Sequence, residues 1–285
     1  MSTLQIPGSL VSVAWLQQHL GHDDLLVFDA SWHMPATARD GFAEWQQERI
    51  SGARFFDFDG RICAPGSSLP HMLPDADSFM RELRALGLNQ ESRVVVYDSM
   101  GMFSSPRAWW MLAAMGCTNL ALLDGGLPAW KAAGFALQAG ENVAGCEPGN
   151  FSAKFDAAQV VDAGRLLAAL DDDSVCVLDA RPEPRFKGIA EEPRAGLRRG
   201  HMPGAVNLPF AQLFDQGLMK PDAELAQILK PLVDGHTRAI CSCGSGVTAC
   251  ILAFALQRIG FEDVAVYDGS WCEWGLPGEL PVVVD

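Results

Sequence analysis

Cys243 opens the run Cys243-Gly244-Ser245-Gly246-Val247-Thr248. The residues before it, Arg238-Ala239-Ile240-Cys241-Ser242, are few and mostly apolar and read as a buried strand. Residues 249–259 are apolar, rich in strong helix formers and closed by Gly260, so they read as a helix. A thiol is thereby set at a strand-to-helix turn. Gly244 and Gly246 let the backbone curl so that successive N–H groups converge on one spot. The helix N-terminus adds partial positive charge there. Such surroundings favour a thiolate and hold an anion beside it, which is what a nucleophilic cysteine requires. A single Cys at a strand end is more often a small buried hydrophobe. The Gly-Ser-Gly loop argues for chemistry, because it is a costly way to build an inert corner.

The elements that must position this loop occur twice. Leu25-Leu26-Val27-Phe28-Asp29-Ala30 matches Val175-Cys176-Val177-Leu178-Asp179-Ala180, and Gly52-Ala53 matches Gly204-Ala205. Val94 to Asp98 matches Ala239 to Cys243, and Asp124 to Trp130 matches Asp268 to Trp274. The spacing between partners is nearly constant, so one unit has been duplicated. In each unit short apolar strands alternate with helix-like segments such as 78–86 and 105–115; 120–123 and 264–267 read as late strands. That alternation predicts an α/β fold of two tandem domains, each a mostly parallel sheet flanked by helices. Ligands of such sheets sit at the carboxyl ends of the strands, where Cys243 falls. The expected boundaries are 1–139, a Gly-rich linker over 140–155, and 156–285. Phe151 to Phe155 is expected to strap back onto the first domain. At the position of Cys243 the first unit has Asp98, and the longer segment after it, 99–106, is expected to form no comparable cradle. The first domain is therefore expected to be non-catalytic.

A chain of 285 residues, 49% hydrophobic and 20% charged, has the composition of a globular protein. A net charge of −14 argues against nucleic acid or an anionic membrane as partner. No apolar run reaches membrane-spanning length. The start, Met1-Ser2-Thr3-Leu4-Gln5, has neither a secretory nor a transit-peptide pattern, so a cytoplasmic location is expected. Eight cysteines in a chain of this size do not imply a disulfide framework. No zinc-ligand spacing is present. Cys176 and Cys250 read as packing residues, as do Trp109, Trp110, Trp271 and Trp274.

With the loop and the repeat together, the chain resembles the tandem rhodanese-domain sulfurtransferases, and within them those acting on 3-mercaptopyruvate. The resemblance spans almost the whole chain. It rests on the Cys243 to Thr248 loop, Gly200-His201-Met202-Pro203-Gly204-Ala205, Ser105-Pro106-Arg107-Ala108-Trp109-Trp110 and His71-Met72-Leu73-Pro74. Leu123-Asp124-Gly125-Gly126-Leu127 and Tyr267-Asp268-Gly269-Ser270-Trp271 add to it. It implies that Cys243 takes sulfur from a donor as a persulfide and passes it to a thiol, thioredoxin or cyanide. No metal or organic cofactor is implied, since the sulfur is carried covalently.

The resemblance also implies site residues. Arg185 and Arg194 match positions that bind the donor carboxylate, a task suited to a planar guanidinium. Arg198 and Arg199 are nearby alternatives, whereas Arg181 reads as structural. Ser245 matches a residue that hydrogen-bonds the donor; Gly244, Gly246, Val247 and Thr248 supply the cradle. A His and an Asp implied near this serine fall on His71 and Asp59, with Asp57 competing for the second role. His201 reads as structural. Loops that prefer thiosulfate, a dianion, carry basic residues, and 244–248 has none. Mercaptopyruvate is therefore the expected donor, with thiosulfate sulfurtransferase and a non-catalytic binding module as alternatives. A cysteine phosphatase is disfavoured, because Thr248, Ala249 and Cys250 supply no arginine at the loop's end.

Overall fold

The computed structural model describes residues 4–140 and 147–285. Part of the expected linker, residues 141–146, lies outside the described residues. Two compact units are formed. The first comprises the chain through Pro65, with Leu73–Phe155 and Gln216–Leu218; the second comprises Gly66–Met72, Asp156–Asp215 and Met219–Asp285.

In the first unit a five-stranded sheet runs in the order Leu10–Val11, Leu120–Leu123, Arg93–Tyr97, Leu25–Asp29, Arg54–Phe55, with every pairing parallel. The central strand is buried at all five positions, as expected where helices cover both faces of a parallel sheet. The second unit repeats the order with Val160–Val161, Val264–Tyr267, Arg238–Ser242, Val175–Asp179 and Val206–Asn207, again all parallel. The strands expected at 120–123, 238–242 and 264–267 form at those limits.

Helices cover the sheets where apolar periodicity placed them. Ser105–Ala114 and Ala249–Arg258 follow the two central strands and are almost wholly buried. The helix expected from residue 78 begins two residues earlier, as Ala76–Ala85, because the Asp75 carboxylate accepts the Ser78 N–H at 2.9 Å and caps it there. Trp109, Trp110, Trp271 and Trp274 are core residues. The strap is present in the first unit. Phe151 N–H donates to Leu88 O at 3.1 Å, Lys154 N–H donates to Met115 O at 2.9 Å, and the Phe151 ring packs edge-on against Phe79.

Candidate active site

The chain leaves its central strand at Ser242 and enters the helix at Ala249, so the intervening loop stands at the carboxyl end of the sheet. Gly246 has φ +76°, a left-handed conformation that costs glycine nothing, and it turns the loop back towards the helix. The result is a set of unspent donors. Among the described residues, the N–H groups of Gly244, Ser245, Val247, Thr248 and Ala249 donate to no acceptor in the chain. Backbone donors in a folded interior are nearly always paired. A run of them at the start of a helix is a site for an anion.

Cys243 itself is 2% exposed and Ser245 5%. The short helix Ser270–Trp274 is bonded to this loop. Cys243 N–H donates to Ser270 Oγ at 3.2 Å, Trp271 N–H donates to Cys243 O at 3.0 Å, and Cys272 N–H donates to Gly244 O at 2.9 Å. Cys241, in the strand, is fully buried, and burial pushes its thiol well above the usual range. It is an inert packing thiol at neutral pH, as are Cys176 and Cys250 by their burial.

The arginines divide into structural and available groups. Arg181 is buried. Its Nε and Nη2 donate to the Asp179 carboxylate at 2.9 and 2.7 Å, its Nη1 donates to Glu192 at 2.9 Å, and its guanidinium lies 4.0 Å from the Trp271 ring centroid. Glu192 also accepts from Arg185 Nη2 at 2.5 Å. Arg185 is thus held by a buried carboxylate shared with Arg181, and its Nη2 stands 3.0 Å from where a Cβ on Gly244 would lie. Arg194 is half-buried and enters no ion pair among the described residues. Both Arg194 and Arg185 pull down the thiol of Cys272, Arg194 more strongly, against the burial that raises it to about 11. Within this cluster three arginines face two carboxylates, Asp179 and Glu192. Arg198 and Arg199 are committed elsewhere: Arg198 donates to the Leu280 and Trp274 carbonyls, and Arg199 pairs with Glu191.

The remaining candidates are spread between the units. His71 belongs to the second unit with Cys243; it is 3% exposed and has φ +61°. It is therefore not an exposed loop histidine. Asp59 is exposed and belongs to the first unit, where its carboxylate accepts the Trp32 indole N–H at 3.0 Å. Asp57 accepts the Gly60 N–H at 2.8 Å and so serves its own turn. His201 is structural: its Nδ1 lies 2.9 Å from Phe186 O and its ring stacks on Phe186.

Sequence reading missed Glu192, Ser270 and Cys272 as members of this site. Glu192 carried a faint signal, lying between two candidate arginines. The other two are brought to the loop only by the fold. In the first unit the segment after Asp98 also departs from expectation. Met100, Ser104 and Ser105 donate their N–H groups to the Asp98 carboxylate at 2.8, 2.9 and 2.7 Å. A cradle does form there, and its occupant is the protein's own aspartate.

Comparison with known proteins agrees with this duplicated architecture. The rhodanese-like domain model matches residues 12–133 and again 162–276. A 3-mercaptopyruvate sulfurtransferase of Escherichia coli K12 is 38% identical over 274 residues, covering 95% of this chain and 96% of the relative. Thiosulfate/3-mercaptopyruvate sulfurtransferase 1, mitochondrial, of Arabidopsis thaliana is 38% identical over 99% of this chain and 79% of its own length. Among solved structures, the 3-mercaptopyruvate sulfotransferase SseA of Escherichia coli superposes with a TM-score of 0.83 at 36% identity, covering 92% of this chain and 98% of that one. With the repeat, the parallel sheets and the strand-to-helix loop all in common, this chain belongs to the rhodanese-like family and carries the domain twice.

Proposed function

We propose that the chain is a sulfurtransferase that moves sulfur from 3-mercaptopyruvate onto Cys243 and then to a thiol, thioredoxin or cyanide. The Cys243 thiolate attacks the donor sulfur. The carbon–sulfur bond breaks, its electron pair passes to the donor carbon, and the resulting enolate takes a proton to become pyruvate. Cys243 keeps the sulfur as a persulfide. The observation that carries this reading is the group of unpaired amides of Gly244, Ser245, Val247, Thr248 and Ala249, which can hold the anionic persulfide without any metal or organic cofactor.

Arg185 and Arg194 take the donor carboxylate and Ser245 its neighbouring oxygen. A cluster of three arginines and two carboxylates suits a monocarboxylate better than a dianion, which favours mercaptopyruvate over thiosulfate. His71 is the proton-transfer candidate on the second unit; Asp59, on the first unit, is tied to Trp32. A cytoplasmic location is our reading. It is supported by the seven described cysteines, which are all free, as in a reducing compartment. No helix among the described residues is long and apolar enough to cross a membrane.

Turnover with mercaptopyruvate and cyanide tests the reading. Wild type is expected to form pyruvate and thiocyanate in equal amounts, and Cys243→Ser neither. A folded Cys243→Ser enzyme that still turned over would overturn it.

A further inference from the structure

One further thiol, Cys272, lies next to the loop. It is 5% exposed and lies in the helix bonded to the Cys243 loop. Three consecutive hydrogen bonds stitch residues 270–272 to residues 243–244. Trp271 N–H donates to Cys243 O and Cys272 N–H to Gly244 O, so each cysteine is next in the chain to the other's bonded partner, and a disulfide spans Cα separations of roughly 4–7 Å. The two thiols also sense one another, since charge on Cys243 raises the thiol of Cys272. Both groups facing Cys272 that can stabilise an anion, Arg194 and Arg185, belong to the cluster beside the loop; the Glu192 carboxylate opposes them.

We infer that Cys272 is an internal acceptor thiol, which attacks the inner sulfur of the Cys243 persulfide and expels hydrogen sulfide. This rests on the persulfide reading above. The step forms the Cys243–Cys272 sulfur–sulfur bond and breaks the bond between Cys243 Sγ and the transferred sulfur. The electron pair leaves with that sulfur, the proton given up by Cys272 makes it hydrosulfide, and a proton from solvent completes hydrogen sulfide. Both cysteine sulfurs end oxidised in the disulfide, and the carried sulfur ends fully reduced. An external dithiol must then reduce the disulfide to return the enzyme to its starting state. At neutral pH burial keeps Cys272 mostly protonated, so the internal step is slower than capture by an abundant external thiolate. The device acts when no acceptor arrives: it discharges the persulfide and locks the nucleophile in a reducible form.

A single-turnover experiment decides it. Full-length enzyme receives one equivalent of mercaptopyruvate without added thiol or cyanide. Pyruvate, hydrogen sulfide and non-reduced intact mass are then followed, with peptide mapping of any linkage. Wild type is expected to release one equivalent each of pyruvate and hydrogen sulfide and to lose two hydrogens, with Cys243 joined to Cys272. Cys272→Ser, and Cys272→Ala as the smaller replacement, are expected to retain one added sulfur on Cys243 and release no hydrogen sulfide. Wild type and both variants all retaining the added sulfur would overturn the internal acceptor while leaving sulfur transfer standing. A Cys243–Cys241 linkage would likewise overturn it. Absence of pyruvate from every form would remove the sulfurtransferase reading and this inference with it.

Discussion

The loop after the central strand is built twice from one ancestral plan and filled in opposite ways. In the first unit, Asp98 turns its carboxylate into its own loop and accepts three backbone N–H groups at 2.7–2.9 Å. In the second, the matching residue is a cysteine, and five N–H groups at 244–249 remain without an acceptor. An anion belongs in both places. One unit supplies it from its own chain; the other leaves room for one made by chemistry. The strand beside each loop mirrors the inversion. Asp179 is met by the buried fork of Arg181, whereas Asp29 is bonded by Ser31 and Tyr97, and burial pushes its carboxyl up to about 6. The second unit thus uses an arginine to fix its framework, and the first has a serine at that position.

The largest test of that contrast is Arg181→Met. It strands the Asp179 carboxylate in a dry interior and leaves Glu192 to Arg185 alone. Removing one member of a buried ion pair costs about 3–5 kcal/mol, which urea unfolding will read directly. The matching position in the first unit, Ser31, carries no charge, so Ser31→Ala is expected to cost far less. Equal losses at the two positions would show that the arginine adds nothing to the second unit's framework.

Next in size is Asp98→Ala. It leaves three donors without their acceptor, for a loss on the order of 3 kcal/mol, with sulfur transfer unaffected. Cys243→Ala removes only a small buried group and is expected to cost about 1 kcal/mol while abolishing transfer. The two substitutions therefore exchange their effects on stability and activity. Similar stability losses would mean that the aspartate is not what holds the first loop shut.

Much of this was legible in the sequence, and the reasons for the remainder are specific. Central parallel strands are apolar on both faces, so 238–242 and 264–267 stand out as uninterrupted runs between turn residues. The Gly-Ser-Gly turn marked the loop because only glycine takes the conformation at residue 246 without strain. The loop at 99–106 was misjudged by length. Its closure depends on one carboxylate reaching several amides, which spacing does not encode. Cys272 and Ser270 lie far along the chain from Cys243 and meet it only when the last strand and its short helix fold back. Glu192 was read as part of a polar loop, but burial between two arginines makes it the residue that sets Arg185's direction.

Substrate affinity offers a finer test of the second loop. Arg194→Gln is expected to raise KM for mercaptopyruvate about tenfold, ~1.4 kcal/mol of binding, with a smaller change for thiosulfate. Arg185→Gln is expected to raise it less, because Glu192 already balances that charge. The order of the two effects is the informative result. A larger loss at Arg185 would mean that its geometry, not its net charge, binds the carboxylate.

The smallest expected effect lies at the residue after each anion position. In the first unit this is Ser99, whose N–H donates to Ser31 Oγ at 2.9 Å. In the second unit it is Gly244, and a Cβ at that point would meet Arg185 Nη2 at 3.0 Å. The contact falls on the far end of a flexible side chain, so Gly244→Ala should fold normally and displace the guanidinium by a few tenths of an ångström. The expected outcome is a rise of about twofold in KM for mercaptopyruvate, ~0.4 kcal/mol, with the rate of pyruvate release at saturation nearly unchanged. Adding Arg185→Gln to Gly244→Ala should then give no further rise beyond that of Arg185→Gln alone, since both act on one group. Fully additive effects would separate the glycine from the arginine and leave the bare second loop to be explained by the approach of the donor to the amides.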